Sequence, residues 1–316
     1  REKDAQGYAL ALAVAETLLH EDPKLEPRHL ANISWSVAVL TARGAAIPLL
    51  HSISCVSVRY IDKFGPQEIA NTSWAYARME LKGDPVFGPL AARAREDLAS
   101  NRQGWQPQHV ANMLWSLAVI SSQEQPLLEM LMDSASEVPE LLEPEALGAL
   151  MWSAAMLQIH HPSMLEAVIA MIIEKAPKFE PQTLSGLAWS LASMNLHHQP
   201  LLDVMAVTSL QQMARFRPRQ LAGLGWALAT LEAQQQHLME AISERVAESA
   251  DDFNSQDLAN TSWCFATLAW RDVTMERALS RAAMLHASEL RPQHLATIAW
   301  CAAARLNSHV NKHPLG

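Results

Sequence analysis

Hydrophobic residues recur at helical spacing around a tryptophan that returns about every 37 residues along the chain. Counted from each tryptophan, positions −5, +2 and +3 are apolar or aromatic in every repeat, and position −2 is apolar in most of them. This spacing follows the helical period of about 3.6 residues and not the alternation of a strand. A repeat of this length is typical of a solenoid of small helical units. The tryptophans are Trp35, Trp74, Trp115, Trp152, Trp189, Trp226, Trp263 and Trp300.

Each tryptophan-bearing helix has a recognisable start. Position −8 is proline in seven of the eight repeats, and Ser255 is the exception. Proline suits the first helical position because its fixed φ matches a helix and its absent N–H would be unpaired there. Position −10 is always large and apolar, as at Trp105. It is therefore predicted to form a hydrophobic staple with the aliphatic residue at −5.

A second amphipathic stretch follows each of these helices after a short polar turn, as in residues 162–176. We therefore predict an all-α fold, an α-solenoid of about eight 37-residue helical-hairpin repeats, as one array over residues 1–316. Residues 5–20 are predicted to be the second helix of an upstream repeat, and residues 307–316 a polar tail. The repeats are predicted to start near residues 25, 64, 105, 142, 179, 216, 253 and 290.

Composition limits the partners. The net charge is −9 and the pI is about 5.8, so a basic stripe for nucleic acid would have to be local. The longest apolar stretch is too short to span a membrane, so no membrane contact is expected. Three cysteines suggest a reducing compartment. Cys264 and Cys301 are not expected to form a disulfide, because stacked helices lie about 8–10 Å apart and a disulfide needs Cα atoms within about 7 Å.

The eight tryptophans invite two interpretations. Exposed aromatic rings could stack nucleobases. A large apolar residue that recurs beside leucine and alanine on one helical face is more typical of a core. The eight tryptophans are therefore predicted to be structural core.

Polar residues at positions −6 and −3 are the candidates for reading a ligand. Position −6 varies from repeat to repeat, and position −3 is often asparagine, a poor residue for the middle of a helix. The two positions are one turn apart and are predicted to share a stripe with +1 and +4. The asparagines could equally join neighbouring repeats, and position −6 could be an ordinary solvated first turn. The base-reading candidates are His29, Asn32, Glu68, Asn71, His109, Asn112, Thr183, Gln220, Asp257, Asn260 and His294.

Arginines near the helix starts are candidates for contacting an RNA backbone, because helix N-termini attract phosphate and arginine binds it bidentately. Glu26, Glu143 and Glu180 stand at the corresponding place in other repeats and would repel phosphate. Backbone contacts are therefore expected mainly in the C-terminal half. The candidates are Arg28, Arg215, Arg217, Arg219 and Arg291.

No sequence motif for catalysis is present. The chain lacks GxSxG, HExxH, Walker and paired-cysteine motifs. Two histidine pairs at 160–161 and 197–198 fall in turns without a carboxylate or thiol to complete a zinc site. We expect no enzyme, no catalytic residue, no metal, no cofactor and no small-molecule substrate.

The runs LANISWSVAVL, VANMLWSLAVI and LANTSWCFATL resemble the octotricopeptide and heptatricopeptide repeat (OPR/HPR) proteins, which are related to the repeat region of FAST-kinase-domain and RAP proteins. The resemblance covers about residues 24–306. It implies single-stranded RNA binding in a chloroplast or mitochondrion, with a role in transcript stability, processing or translation. It also implies base readers near the start of the tryptophan-bearing helix. No RAP domain is present in this chain, so the nuclease-like activity of that domain is not carried over.

Three features depart from the family pattern: the asparagine lost from −3 in the fourth, fifth, sixth and eighth repeats, Ser255 for proline, and Arg305 where leucine is usual. No targeting segment is visible, but the chain begins inside the repeat pattern, so its N-terminus is expected to lie further upstream.

Two functions remain open from the sequence. The first is a single-stranded RNA-binding array that takes on the order of eight nucleotides, one per repeat. The second is a protein–protein interaction scaffold of the HEAT/armadillo type, which the net acidity favours.

Overall fold

A computed structural model describes residues 13, 25–40, 43–122, 124–233 and 235–306, which contain helices and short connections but no strand. The chain forms two compact units, one up to Met171 and one from Ile172 onward. The tryptophan-bearing helices are α1 (Pro27–Leu40), α3 (Pro66–Arg78), α5 (Pro107–Ile120), α7 (Pro144–Leu157), α9 (Pro181–Ser193), α11 (Pro218–Thr230), α13 (Ser255–Thr267) and α15 (Pro292–Leu306). The second helices are α2 (Arg43–Arg59), α4 (Phe87–Ser100), α6 (Gln125–Glu137), α8 (Pro162–Lys175), α10 (Gln199–Gln211), α12 (Gln236–Ser249) and α14 (Val273–Leu285).

Helices of the same kind pack on one another within each unit. In the first unit α1, α3, α5 and α7 pack consecutively, and α4 packs on α6. In the second unit α9, α11, α13 and α15 pack consecutively, as do α10, α12 and α14. The predicted all-α solenoid of helical hairpins is therefore confirmed. The continuity of one array over residues 1–316 stays a prediction, and the segments 5–20 (apart from residue 13) and 307–316 lie outside the described residues.

The starts of the tryptophan-bearing helices follow the predicted chemistry. Proline begins seven of the eight, and α13 begins with Ser255. There the side chain of Asn254 accepts hydrogen bonds from the backbone N–H groups of Gln256 and Asp257, both at 2.9 Å. An asparagine N-cap thus stabilises the helix start that lacks proline.

The predicted staples are buried in most repeats but not in the eighth, where Leu295 is 47% exposed. Phe64, Trp105, Phe179, Phe216 and Phe253 are at most 5% exposed, and the aliphatic residues at −5 of the same repeats are at most 1% exposed. A short 3₁₀ turn precedes each of these helices from α3 onward and brings the staple residue inward. The turns are Ile61–Lys63, Arg102–Gly104, Pro139–Leu141, Ala176–Lys178, Met213–Arg215, Ala250–Asp252 and Ala287–Glu289.

The tryptophan-bearing helices from α3 to α13 end alike, with position +6 in the left-handed region and none of these residues glycine. In α5 the N–H of Ser121 donates to the carbonyl of Ala118 at 3.1 Å, and that of Ser122 to the carbonyl of Leu117 at 2.9 Å. This pair of bonds is a Schellman closure, for which glycine is the usual residue. Its recurrence fixes the end of each helix at one repeat position. The residues are Glu80, Ser121, Gln158, Asn195, Glu232 and Ala269.

The structure bears on two further predictions, the absence of a disulfide and the absence of a membrane-spanning helix. Cys264 and Cys301 are buried and form no disulfide, as predicted. Burial raises the pKa of the Cys264 thiol, so the thiol is protonated at neutral pH. No helix among the described residues has an apolar run long enough to cross a bilayer.

Candidate nucleic-acid interface

The eight tryptophans lie at the surface of the first helices and not in the core, so the prediction that they are core residues is wrong. Trp35 is 45% exposed, and the other seven are half-buried. The buried face is centred on positions −5 and +2, such as Val110 and Leu117 in α5. A tryptophan is about half a turn away from both positions. The residues concerned are Trp35, Trp74, Trp115, Trp152, Trp189, Trp226, Trp263 and Trp300.

In the first unit these rings form a ladder. The ring centroids are 6.4 Å apart between Trp35 and Trp74, 6.1 Å between Trp74 and Trp115, and 6.3 Å between Trp115 and Trp152. The interplanar angles are between 30° and 35°, within the range of offset aromatic pairs. Contact with neighbouring rings contributes to the burial of these tryptophans.

Positions −7, −3 and +4 lie on the same side of the helix as the tryptophan. We call this surface, made of positions −7, −3, 0 and +4, the tryptophan stripe. The residue at −7 is exposed in every repeat. The stripe therefore presents indole faces flanked mainly by amides at −7 and −3. The residues at −7 are Arg28, Gln67, Gln108, Glu145, Gln182, Arg219, Gln256 and Gln293.

The asparagines proposed as base readers lie on this stripe. Asn32 is exposed, whereas Asn71, Asn112 and Asn260 are half-buried. Two of them are held by the glutamine one turn earlier: Gln108 Nε2 donates to Asn112 Oδ1 at 2.9 Å, and Gln256 Nε2 donates to Asn260 Oδ1 at 2.8 Å. These amide pairs lie beside the indole rings, where a stacked base could present its edge.

Packing explains one repeat that lacks this asparagine. A Cβ atom at Gly223 would lie 2.6 Å from Ser185 Oγ on the neighbouring helix. A side chain at position −3 of the sixth repeat would force the Ser185 hydroxyl to move, so packing between α9 and α11 favours glycine there. At Gly186 a Cβ would meet no atom within 4 Å, so packing does not explain the glycine of the fifth repeat.

The candidates at −6 lie about a third of a turn away from the tryptophan, and most of them cap their own helix. The side chain at −6 accepts the backbone N–H at −9, which leaves that atom unable to accept from a base. These bonds run from Glu26 to His29 Nδ1 at 3.2 Å, from Gly65 to Glu68 Oε2 at 3.2 Å, from Gln106 to His109 Nδ1 at 3.3 Å, and from Arg217 to Gln220 Oε1 at 2.9 Å. Position +1, expected on the same stripe, is buried in most repeats.

In the second unit position −6 also contacts the preceding repeat. Gln220 Nε2 donates to Gln182 Oε1 at 3.1 Å, and His294 Nε2 lies 3.0 Å from Gln256 Oε1. Of the remaining candidates, Asp257 is buried and Thr183 half-buried. Gln220 and His294 therefore support glutamines at −7 of the preceding repeat and are not free readers.

The helix cap at His109 is expected to make the stability of the protein depend on pH. Burial lowers the pKa of this imidazole from its ordinary 6.5, against an opposing effect of the Glu68 carboxylate. The unfolded chain therefore takes up the proton first as the pH falls, and stability is lost below about pH 6.5. We expect the His109→Gln variant to lose less stability than the natural protein between about pH 7.5 and pH 5.5 in urea unfolding. Glutamine is chosen because Gln220 makes the same cap and does not titrate. An equal loss of stability in both proteins would contradict the assignment of this pH dependence to His109.

The five arginine candidates differ in their freedom to bind an anion. Arg28 forms an ion pair with Glu26 at 2.7 Å, and Arg215 forms one with Glu180. Arg217, Arg219 and Arg291 are exposed, and no described residue forms an ion pair with them. All three lie at helix starts in the second unit, where unpaired backbone N–H groups add positive potential.

The tryptophans and the glutamines at −7 were not identified from the sequence as surface residues of the candidate site. Arg78, which lies beside Trp74, was not identified either. The Arg78 guanidinium lies 5.2 Å from the Trp74 ring centroid and donates through Nε to the carbonyl of Ala38 at 3.2 Å. The recurrence of a polar residue at −7 was a usable signal. Among the described residues, no group of three or more His, Cys, Asp or Glu could hold a metal ion.

Comparison with known proteins gives three matches. Residues 231–261 match a family described as a protein of unknown function (DUF1601). A stretch of 117 residues, 37% of this chain, is 26% identical to a RAP domain-containing chloroplastic protein of Oryza sativa subsp. japonica. That match spans 18% of the rice protein. The third match covers more than half of the chain, residues 25–200, and is to the family described as RNA-editing substrate-binding complex 6 protein.

This third match has the greatest extent along the chain, and its description refers to an RNA-editing substrate-binding complex. The chain belongs to the RNA-editing substrate-binding complex 6 protein family.

Proposed function

We propose that the chain binds single-stranded RNA along the tryptophan stripe, in the manner of the octotricopeptide and heptatricopeptide repeat proteins. The observation that carries this proposal is the row of solvent-accessible indoles flanked by amides at −7 and −3. Indole faces stack on any unpaired base, and amides can bond its edge. A duplex offers no free base faces and no free Watson–Crick edges, so the stripe suits single strands.

Electrostatics supports the same assignment in the second unit. The overall charge of −9 disfavours nonspecific attraction of a polyanion. Arg217, Arg219 and Arg291 provide local positive charge at helix starts, and none is neutralised by an ion pair with a described residue. We assign the phosphate contacts to these three arginines and not to Arg28 or Arg215.

The biological role that we propose is RNA metabolism in an organelle: transcript stability, processing or translation. The chloroplastic rice relative supports the compartment, and the family description supports RNA as substrate and other proteins as partners. The activity is binding and not catalysis, without a cofactor or small-molecule substrate.

Protein docking on the same stripe is the second candidate function. In the first unit the stripe is partly apolar, because Val39 is 41% exposed and Met156 is 43% exposed at position +4. Exposed apolar residues beside aromatic rings are typical of protein interfaces. The net negative charge favours this candidate as well.

Fluorescence anisotropy separates the two functions. We expect the protein to bind a randomised single-stranded RNA of on the order of eight nucleotides at physiological salt, with enrichment of a short motif on selection. The same RNA annealed to its complement is the control and should bind more weakly. Absence of single-strand binding even at low salt would rule out the RNA proposal and favour a protein scaffold.

A further inference from the structure

The tryptophans of the second unit are arranged differently from those of the first. Each ring in the first-unit ladder contacts the next, which leaves no space for a base between them. Among the described residues of the second unit, no tryptophan ring contacts another. Trp226, Trp263 and Trp300 instead line an open groove of about 460 Å³, a size typical of small-ligand sites.

A hydrogen-bonded chain of polar side chains forms one wall of this groove. His294 Nε2 lies 3.0 Å from Gln256 Oε1, and Gln256 Nε2 lies 2.8 Å from Asn260 Oδ1. All three residues line the groove. The direction of this chain decides whether the groove presents donors or acceptors.

The tautomer of His294 sets that direction. His29 and His109, at the same repeat position, each accept a backbone N–H at Nδ1, so their hydrogen is on Nε2. His294 is 6% exposed, and its Nδ1 is buried without a hydrogen-bond partner among the described residues. A buried unpaired acceptor is tolerated better than a buried unpaired N–H. The hydrogen of His294 therefore lies on Nε2.

The rest of the chain follows from this tautomer. His294 Nε2–H donates to Gln256 Oε1, and so the amide nitrogen of Gln256 must be the atom that faces Asn260 Oδ1. Asn260 Nδ2 then faces away with two N–H donors, and it makes no hydrogen bond within the described residues. The wall of the groove is donor-rich.

We propose that this groove binds one unpaired keto nucleobase of the RNA, uracil or guanine, stacked beside Trp263 with its carbonyl edge on Asn260 Nδ2. This inference rests on the proposed RNA-binding function and adds a base preference to it. Uracil O4 and the guanine O6 and N7 atoms only accept hydrogen bonds, whereas the amino groups of cytosine and adenine donate them. His294 is a positioning residue that acts through Gln256.

The first unit contains a site that can be compared with this groove. Gln108 and Asn112 form the same amide pair in the first unit, but Trp115 there contacts both Trp74 and Trp152. The amide pair is present there beside rings that contact one another. A base preference that arises in the groove must therefore depend on Asn260 more than on Asn112.

The test compares uridine and cytidine tracts of about eight nucleotides, which differ in hydrogen bonding only at the 4-position and N3. We expect the natural chain to bind the uridine tract about tenfold more tightly in anisotropy titrations. Asn260→Asp replaces donors with acceptors at nearly constant size and should abolish or reverse this ratio. Asn112→Asp adds the same charge on the stripe of the first unit and should change the ratio much less. Asn260→Thr, the residue that Thr297 supplies in the next repeat, is the second variant if the aspartate variant does not fold.

Trp263→Ala should weaken binding of both tracts about tenfold, and Trp115→Ala should weaken it less. A uridine-to-cytidine ratio near one in the natural chain overturns the keto-base assignment while leaving RNA binding intact. A ratio that survives both Asn260 variants also overturns it. Absence of binding to either tract instead refutes the proposed function itself.

Discussion

Replacing Arg217 and Arg219 together with glutamine is expected to weaken RNA binding by roughly tenfold to a hundredfold. Both side chains are exposed at the start of α11, and neither forms an ion pair with a described residue. If each contacts one phosphate, the variant neutralises two fewer phosphates of single-stranded RNA. The slope of log K against log salt should then fall in magnitude by about 1.4. Anisotropy titrations across a range of salt concentrations measure both quantities.

Arg215 provides the matched control for this pair. It lies two residues before Arg217 and is also exposed, but its guanidinium is paired with Glu180 and donates a hydrogen bond to Gln212 Oε1 at 3.1 Å. Arg215→Gln should therefore change the salt slope much less. Equal effects from both variants would mean that net charge matters and not these two positions. An unchanged slope in the double variant would contradict the phosphate contacts.

The fold could be predicted from the sequence because its determinants are local and repeated. Proline at position −8 and the apolar residue at −10 fix the start of each first helix, as Pro66 and Phe64 do for α3. Each repeat then needs only its neighbours to bury its apolar face. The deviation at Ser255 did not matter, because Asn254 supplies an alternative cap.

The position of the tryptophans could not be predicted from apolar character alone. Trp115 follows Leu114 and precedes Leu117, both of which are buried, but the helix turns the indole to the opposite side. An indole is large enough to gain burial from other indoles, so an apolar residue can recur on the surface without belonging to the core. The pattern identified the helix and its period, but it did not identify which side of the helix packs against the rest of the protein.

The candidates at −6 illustrate a second limit. A polar residue that varies among repeats is typical of a reader, but it is equally typical of a capping position that histidine, glutamate and glutamine all satisfy. His109 and Gln220 differ in chemistry and make the same bond to a backbone N–H. Sequence variation there reflects the several acceptors that can serve as a cap. The repeat period likewise does not predict whether neighbouring tryptophan rings touch or leave a groove. The period is 37 residues both for the contacting pair Trp115–Trp152 and for the separated pair Trp226–Trp263.

Replacing Asp97 with alanine is expected to lower the free energy of unfolding of the first unit by about 3–5 kcal/mol. Asp97 is 6% exposed and binds two partners: Trp105 Nε1 donates to its Oδ1 at 3.1 Å, and Arg93 Nη2 lies 3.1 Å from its Oδ2. Arg93 also donates through Nε to the carbonyl of Phe64 at 3.1 Å. The variant would leave a largely buried guanidinium and a buried indole N–H without their acceptor. Urea unfolding followed by tryptophan fluorescence measures the loss.

Two variants of the same helix locate the origin of this effect. Asp97→Asn keeps an acceptor for Trp105 and removes only the charge, so it should cost less, about 1–3 kcal/mol. Glu96→Ala removes an exposed carboxylate 3.9 Å from Arg93 and should change stability by less than about 1 kcal/mol. A clearly larger loss for Asp97→Ala than for Asp97→Asn would establish that the repeat depends on the hydrogen-bond acceptor that residue 97 offers to Trp105. If Asp97→Ala were as mild as Glu96→Ala, the staples would be held by apolar burial alone, and the carboxylate would be dispensable to the repeat.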